Sequence, residues 1–288
     1  MKFLQVIFLT FRISLRIKKV KVYLQYSEKT KSALTFIKPF LVIAHRGDST
    51  RAPENTLPAF KRAIDAGADM IELDVQLTSD DVPVVFHDAT LEKHSNGFGV
   101  LSDFPVKKIR SLDAGSWFSK AFAGEKIPLL TEVLELVKNR IMLNIEIKPE
   151  SVTENADSGI EYKVCELVRL FGMEEQVLIS SFDYRVFERV HNIDPAIKTG
   201  LLYNREQSGR LSPAELMQTY QTFSFHCSRW QLRKKWIKEC RQIGVPIYVY
   251  TVNGRRTMRS LIKKGIAGIF SDKPQRLKEV SGRLLATG

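Results

Sequence analysis

Three short apolar segments of the sequence carry charged and titratable side chains. His45-Arg46-Gly47 closes a run that begins at Leu41. Glu72 and Asp74 stand two apart within Met70-Ile71-Glu72-Leu73-Asp74-Val75, as do Glu146 and Lys148 within Leu143-Asn144-Ile145-Glu146-Ile147-Lys148. In extended chain, residues two apart share a face, so each pair projects to one side. Charges inside strands flanked by apolar layers are costly unless they are paired or bound to metal. Three carboxylates brought together suit a hard divalent cation with oxygen ligands, Mg²⁺ or Ca²⁺. Zinc would normally recruit Cys or His, and the histidines suit another role. His45 and His87 suit acid–base work, because one imidazole can accept a proton while another donates. Cleaving a phosphodiester takes both: a base for the attacking hydroxyl and an acid for the leaving alkoxide. Arg46 and Lys148 can clamp phosphate oxygens. The competing reading is internal pairing of these charges, Lys148 with Asp74 for example. It accounts for one pair more readily than for every charge ending adjacent strands.

These residues need a scaffold, and the chain repeats strand then helix. Strands are predicted at Leu41–Ala44, Met70–Leu77, Ile141–Ile147, Val177–Ser180, Lys198–Leu202, Thr222–Phe225, Pro246–Thr251 and Gly268–Phe270. Helices are predicted at Asn55–Ala66, Leu130–Asn139, Gly159–Phe171, Tyr184–His191, Pro213–Tyr220, Arg229–Ile243 and Arg255–Lys264. Eight strands alternating with helices point to an α/β fold, a TIM-like (β/α)₈ barrel, whose active site forms at the C-terminal ends of the strands. A further strand, Pro83–Phe86, follows the second after only Thr78 to Val82. Five residues cannot make a parallel crossover, so this segment is expected to return as an antiparallel hairpin that brings His87-Asp88 back to the mouth. Residues 88–127 hold no clear barrel element and are read as a small insertion subdomain covering the active-site face. His226, ending the predicted sixth strand, is expected at the pocket. His94 falls in the insertion, and His191 ends a helix, where the dipole accounts for it.

Composition narrows the function classes. With 44% hydrophobic and 26% charged residues, the chain of 288 residues is neither disordered nor membrane-like overall. Its net charge of +12 would suggest nucleic acid if it were spread over the body, but residues 1–40 carry +8 of it. That leaves a nearly balanced body, and no nucleic-acid partner is expected. Residues 1–38 are read as a basic extension and residues 39–288 as the barrel domain. Phe3 to Phe11 form an apolar run far shorter than the roughly 20 residues that span a bilayer. The extension is either an in-plane amphipathic anchor making peripheral membrane contact or an irregular segment without function. Three cysteines, Cys165, Cys227 and Cys240, fit neither a disulfide framework nor a metal motif and are read as reduced thiols of a cytoplasmic protein.

Together the motifs resemble the glycerophosphodiester phosphodiesterase family. The resemblance covers about residues 41–280 and rests on several stretches in order. His45-Arg46-Gly47 and Ala52-Pro53-Glu54-Asn55-Thr56 open it. Glu72-Leu73-Asp74-Val75, Pro83-Val84-Val85-Phe86-His87-Asp88, Leu112-Asp113-Ala114-Gly115-Ser116-Trp117-Phe118 and Asn144-Ile145-Glu146-Ile147-Lys148 continue it. Ser180-Ser181-Phe182, Thr251-Val252-Asn253 and Gly268-Ile269-Phe270-Ser271-Asp272 complete it. The resemblance implies hydrolysis of a glycerophosphodiester to glycerol 3-phosphate and an alcohol, through attack by the substrate's own glycerol hydroxyl and a cyclic phosphate that water opens. It implies His45 and His87 as the acid–base pair, Glu72, Asp74 and Glu146 as metal ligands with Glu54 near the metal, and Arg46 and Lys148 on phosphate. Trp117 and Tyr250 are placed with the substrate. Tyr250 stands where the family usually has Trp, Phe270-Ser271-Asp272 replaces Ile/Thr-Thr-Asp, and Lys93-His94-Ser95-Asn96-Gly97 replaces the more usual Arg-Thr-Thr-Asn-Gly. A lysophospholipid substrate, cleaved as by a lysophospholipase D or a phospholipase C at a membrane surface, is the alternative.

Overall fold

The computed structural model describes residue 36 and residues 38–286; the extension read from residues 1–38 lies almost wholly outside the described residues. The elements run β1 (Leu41–His45), α1 (Leu57–Asp65), β2 (Met70–Leu77), β3 (Pro83–Val85), α2 (Val106–Ile109), α3 (Leu130–Val137) and β4 (Met142–Ile147). They continue with α4 (Ile160–Leu170), β5 (Val177–Ser181), α5 (Arg185–Ile193), β6 (Lys198–Leu202), α6 (Arg205–Ser208), α7 (Pro213–Tyr220) and β7 (Ser224–Ser228). The last are α8 (Lys234–Gln242), β8 (Ile247–Tyr250), α9 (Arg255–Lys263), β9 (Gly268–Ser271) and α10 (Pro274–Leu285). All the strands except β3 are parallel, in the order β1-β9-β8-β7-β6-β5-β4-β2, and β1 pairing with β2 closes the barrel. β3 runs antiparallel to β2, with Val75 opposite Val85 and Leu77 opposite Pro83. The TIM-like barrel, the hairpin and the insertion are therefore all present. Helix α10 is an addition, since its buried face of Pro274, Leu277, Val280 and Ser281 carries little apolar periodicity to read.

Strand alternation decides which side chains face the barrel axis. Leu41, Ile43, Met70, Met142, Leu178, Tyr248 and Phe270 pack together in one cluster, while Ala44, Ile71, Leu73, Leu143 and Ile145 pack in another that includes helix residues Ala63, Leu134 and Val164. His45 continues the phase of Leu41 and Ile43. Glu72 and Asp74 continue that of Met70, and Glu146 and Lys148 that of Met142. A core position one layer lower becomes a site position at the mouth. The helices supply the outer layer with amphipathic faces, such as Ile160, Val164 and Val168 on α4.

The interior is filled by pairing large rings with absent side chains. His226 lies mid-strand on β7, fully buried between Tyr248 and Phe270, with ring centroids 5.1 and 5.3 Å away. A Cβ on Gly200 would come within 2.6 Å of the His226 ring. The expectation that His226 ends its strand at the pocket is corrected: β7 starts two residues later than the apolar pattern suggests, which moves His226 into the core. Burial lowers the His226 pKa to about 3. The unfolded chain binds this proton near pH ~6.5, so stability falls as pH drops below that value and levels off near the folded pKa. The loss is roughly 2 kcal/mol between about pH 6.5 and pH 5. Urea unfolding of wild type and His226→Gln across this window should show a shallower acid limb in the variant; parallel limbs would mean that His226 charges without cost.

The insertion has its own core of Phe86, Leu91, Leu101, Ile109, Leu112 and Ile127. It is held to the hairpin tip by Ser79 N–H to the Phe104 carbonyl (3.0 Å) and Val106 N–H to Asp80 Oδ1 (2.8 Å). Among the described residues, no helix is long and apolar enough to cross a membrane. Cys165, Cys227 and Cys240 are free and buried.

Candidate active site

Strand register brings the charged ends together. His45 is paired with Glu72 across β1 and β2, and Asp74 with Glu146 across β2 and β4. The hairpin returns His87 to the same level. A cavity of about 230 Å³ is lined by His45, Arg46, Glu72, His87, Glu146 and Lys148 on its polar side and by Phe182, Leu202, Tyr250 and Phe270 on its apolar side. Arg46 (φ 55°) and Asn55 (φ 57°) occupy the left-handed region outside glycine, a strained backbone that concentrates at functional sites. Gly47 (φ 86°) is required there, because a Cβ would lie 2.7 Å from the Ala59 backbone.

Each catalytic candidate ring is held by a carboxylate on one nitrogen. His45 Nδ1 lies 2.7 Å from Asp272 Oδ1, and Asn253 Nδ2 donates to Asp272 Oδ2 at 2.6 Å. His87 Nδ1 lies 2.8 Å from Asp88 Oδ1. A carboxylate only accepts, so both Nδ1 atoms carry the proton, and Nε2 is left as the free nitrogen of each ring. Burial pulls His45 down, but the Glu72 charge and the Asp272 bond outweigh it, and its pKa rises. Burial also pulls His87 down; Asp74 opposes this only in part, and its pKa falls. Environments that push two rings in opposite directions suit one to deliver a proton and the other to take it.

Glu72, Asp74 and Glu146 each place a carboxylate oxygen within 4.8 Å of the others. The internal pairing considered from sequence exists, but it is incomplete. Lys148 Nζ lies 3.1 Å from Glu146 Oε1 and 3.6 Å from Asp74 Oδ1, and Arg46 Nε lies 3.2 Å from Asp74 Oδ2. Asp74 Oδ1 and Arg46 Nε are nevertheless buried without a hydrogen bond. Glu72 accepts the Arg46 backbone N–H at 2.8 Å. Burial first, and then repulsion from Asp74, push its carboxyl up to about 8. Burial and Asp74 also raise Glu146, whereas Asp74 itself is held low because Arg46 and Lys148 outweigh burial. Three buried carboxylates face two side-chain cations, one carboxylate oxygen is orphaned and one acid is destabilised, and a further cation held there would complete the balance.

The other residues expected at the site divide. Glu54 Oε1 accepts from Arg46 Nη1 at 2.8 Å, beside the carboxylate cluster. Tyr250 lines the cavity. Trp117 is not among the lining residues; its indole packs edge-on against His94 with centroids 4.5 Å apart, and its Nε1 donates to the Ala114 carbonyl at 2.8 Å. Sequence reasoning missed the partners that orient the charged groups: Asp272, Asn253, Asp88 and Asn55, whose Nδ2 donates to Asp74 Oδ2 at 2.9 Å. Asp272 follows the last residue of β9, so listing every polar strand-end residue would have found it.

The profile of the glycerophosphoryl diester phosphodiesterase family matches residues 45–276. A glycerophosphodiester phosphodiesterase of Caldanaerobacter subterraneus subsp. tengcongensis is 42% identical over 238 residues, covering 82% of this chain and 96% of that protein. The crystal structure of a glycerophosphodiester phosphodiesterase from Agrobacterium tumefaciens superposes with a TM-score of 0.73 at 29% identity, covering 83% of this chain and 99% of that one. An Oleispira antarctica phosphodiesterase, solved with the product sn-glycerol-3-phosphate, superposes with a TM-score of 0.74 at 28% identity, covering 83% of this chain and 96% of that one.

Proposed function

This chain belongs to the glycerophosphoryl diester phosphodiesterase family, and from that premise we propose that it hydrolyses glycerophosphodiesters to glycerol 3-phosphate and an alcohol, with His45 and His87 moving the protons. The observation that carries the reading is the shared cavity, in which both rings stand with Nδ1 committed to a carboxylate and Nε2 free, beside Glu72, Glu146, Arg46 and Lys148. One ring takes the proton of the substrate's glycerol hydroxyl as that oxygen attacks phosphorus. The other delivers a proton to the departing alkoxide, giving a cyclic phosphate and the free alcohol. The same pair in reversed roles serves the opening of the ring by water. Arg46 and Lys148 hold the phosphoryl oxygens, turning from the carboxylates they now face. Phe182, Leu202, Phe270 and Tyr250 form the apolar wall of the cavity, where Tyr250 is placed to contact the substrate.

Glu72, Asp74 and Glu146 would hold the divalent cation, Mg²⁺ or Ca²⁺, with Glu54 near it. When bound, the ion supplies positive charge against the phosphoryl group and acidifies the attacking hydroxyl. The barrel domain spans residues 39–288, with the insertion at about 88–127.

A substrate panel tests the reading. The expected order of kcat/KM places glycerophosphocholine and glycerophosphoethanolamine above lysophosphatidylcholine, because the charged side chains lining the cavity address the phosphodiester and its polar groups. Preference for the acylated substrate, lost when residues 1–38 are removed, would replace this reading with lipid hydrolysis at a membrane.

A further inference from the structure

We propose that His94 is a positioning residue for the reaction: through the carboxylate of Asp88 it fixes the ring of His87, and so ties the insertion to the proton transfer. The inference rests on the assignment of His87 to that transfer. Asp88 stands between two imidazoles. Its Oδ1 accepts from His87 Nδ1 at 2.8 Å and its Oδ2 from His94 Nδ1 at 2.6 Å. Since the carboxylate has no proton to give, both rings are constrained to the same tautomer, and His87 keeps its lone pair on Nε2.

The backbone around His87 is clamped independently. Gln76 Nε2 donates to the carbonyls of Phe86 (2.8 Å) and Asp88 (2.9 Å), the residues on either side of it. What remains adjustable is the pair of side chains His87 and Asp88, and these are also the more exposed members of the set, at 29% and 21% against 9% for His94. His94 is the buried end, and aromatic rings pack against it. Its ring packs edge-on against Trp117 (4.5 Å) and Phe86 (6.4 Å). The following turn is closed by Asn96 and Asp113, each donating its backbone N–H to the other residue, at 3.0 and 2.8 Å. The packed insertion thus holds one oxygen of Asp88, and Asp88 holds His87 with the other. Without that hold, Asp88 can turn toward water, and His87 gains its second tautomer and its ring freedom. This also gives Trp117 a role, as the wall that keeps His94 in place.

The test compares His94→Asn with His94→Leu. Asparagine places an amide N–H close to where Nδ1 stands, while leucine has similar bulk and no donor. With glycerophosphocholine, H94L is expected to lose about 10–10²-fold in kcat with KM little changed, and H94N to stay within about threefold of wild type. The ¹⁵N shifts of the His87 ring should report Nδ1–H as the dominant tautomer in wild type and H94N, and a mixture in H94L. H94A takes the place of H94L if the leucine variant does not fold. Equal losses in H94N and H94L would assign His94 to ring packing alone, and an unchanged kcat in H94L would remove it from the reaction; either overturns the proposal. If wild type itself shows no turnover, the proposed function fails, and the tautomer measurement still decides whether His94 orders His87.

Discussion

Replacing either His45 or His87 by alanine is expected to lower kcat by about 10²–10⁴, the usual contribution of a positioned proton-transfer group. The two losses should not multiply, because groups that act as a unit are non-additive. Wild type should give a bell-shaped dependence of rate on pH, with apparent pKa values that belong to the pair. One limb should be lost in each single variant where residual activity is measurable. Neither change should unfold the protein. His45 is one-fifth exposed and His87 just under one-third, so each truncation leaves a space that water can fill. Stopped-flow or steady-state kinetics with circular dichroism on the same samples would separate the effects. Wild-type turnover in both variants would make the histidines structural.

The second large effect is on the carboxylate cluster. Exhaustive chelation should reduce turnover to background, and added Mg²⁺ or Ca²⁺ should restore it. The clearest variant is Glu72→Gln. The glutamine oxygen can still accept the Arg46 N–H that Glu72 now receives at 2.8 Å, while the favourable field of Glu72 on the His45 ring is lost. The change therefore replaces a buried acid, whose ionised form burial and Asp74 disfavour, with a neutral amide of the same shape. The metal-free variant should melt at or above wild type. Wild type should gain about 2.7 kcal/mol when free metal reaches a hundred times its Kd, and the variant should lose most of that gain. Calorimetry with and without metal reads both quantities. A metal-free variant well below wild type would show that Glu72 is a structural acid, and full activity after chelation would sink the metal assignment.

How much of this was legible before the fold was known follows from the range of the interactions. The mouth residues could be read because strand alternation is local: Glu72 with Asp74, and Glu146 with Lys148, share a face by spacing alone. His87 could be placed because Thr78 to Val82 is too short for a crossover. Asp272 could not be matched with His45 in this way. The two lie 227 positions apart and meet only because β9 closes against β1. Asn253 and Asn55 stand in quoted motifs, yet their task is set by register across the closed barrel. His226 was misplaced for a different reason. The apolar start of its strand at Thr222–Phe225 reads two residues early, and with a period of two the facing was right while the depth was wrong. Trp117 was placed with the substrate on its motif; its edge-on contact with His94 depends on the insertion's own packing, which no periodic pattern encodes.

The central claim is that the constellation at the barrel mouth breaks the bond between phosphorus and the departing alcohol by attack of the glycerol hydroxyl. Following glycerophosphocholine by ³¹P NMR in the presence of Mg²⁺ tests it most directly. The account predicts accumulation of glycerol 3-phosphate with free choline, and a transient cyclic glycerol phosphate under single-turnover conditions. Formation of phosphocholine and glycerol instead would place the cleavage on the other side of phosphorus and contradict it.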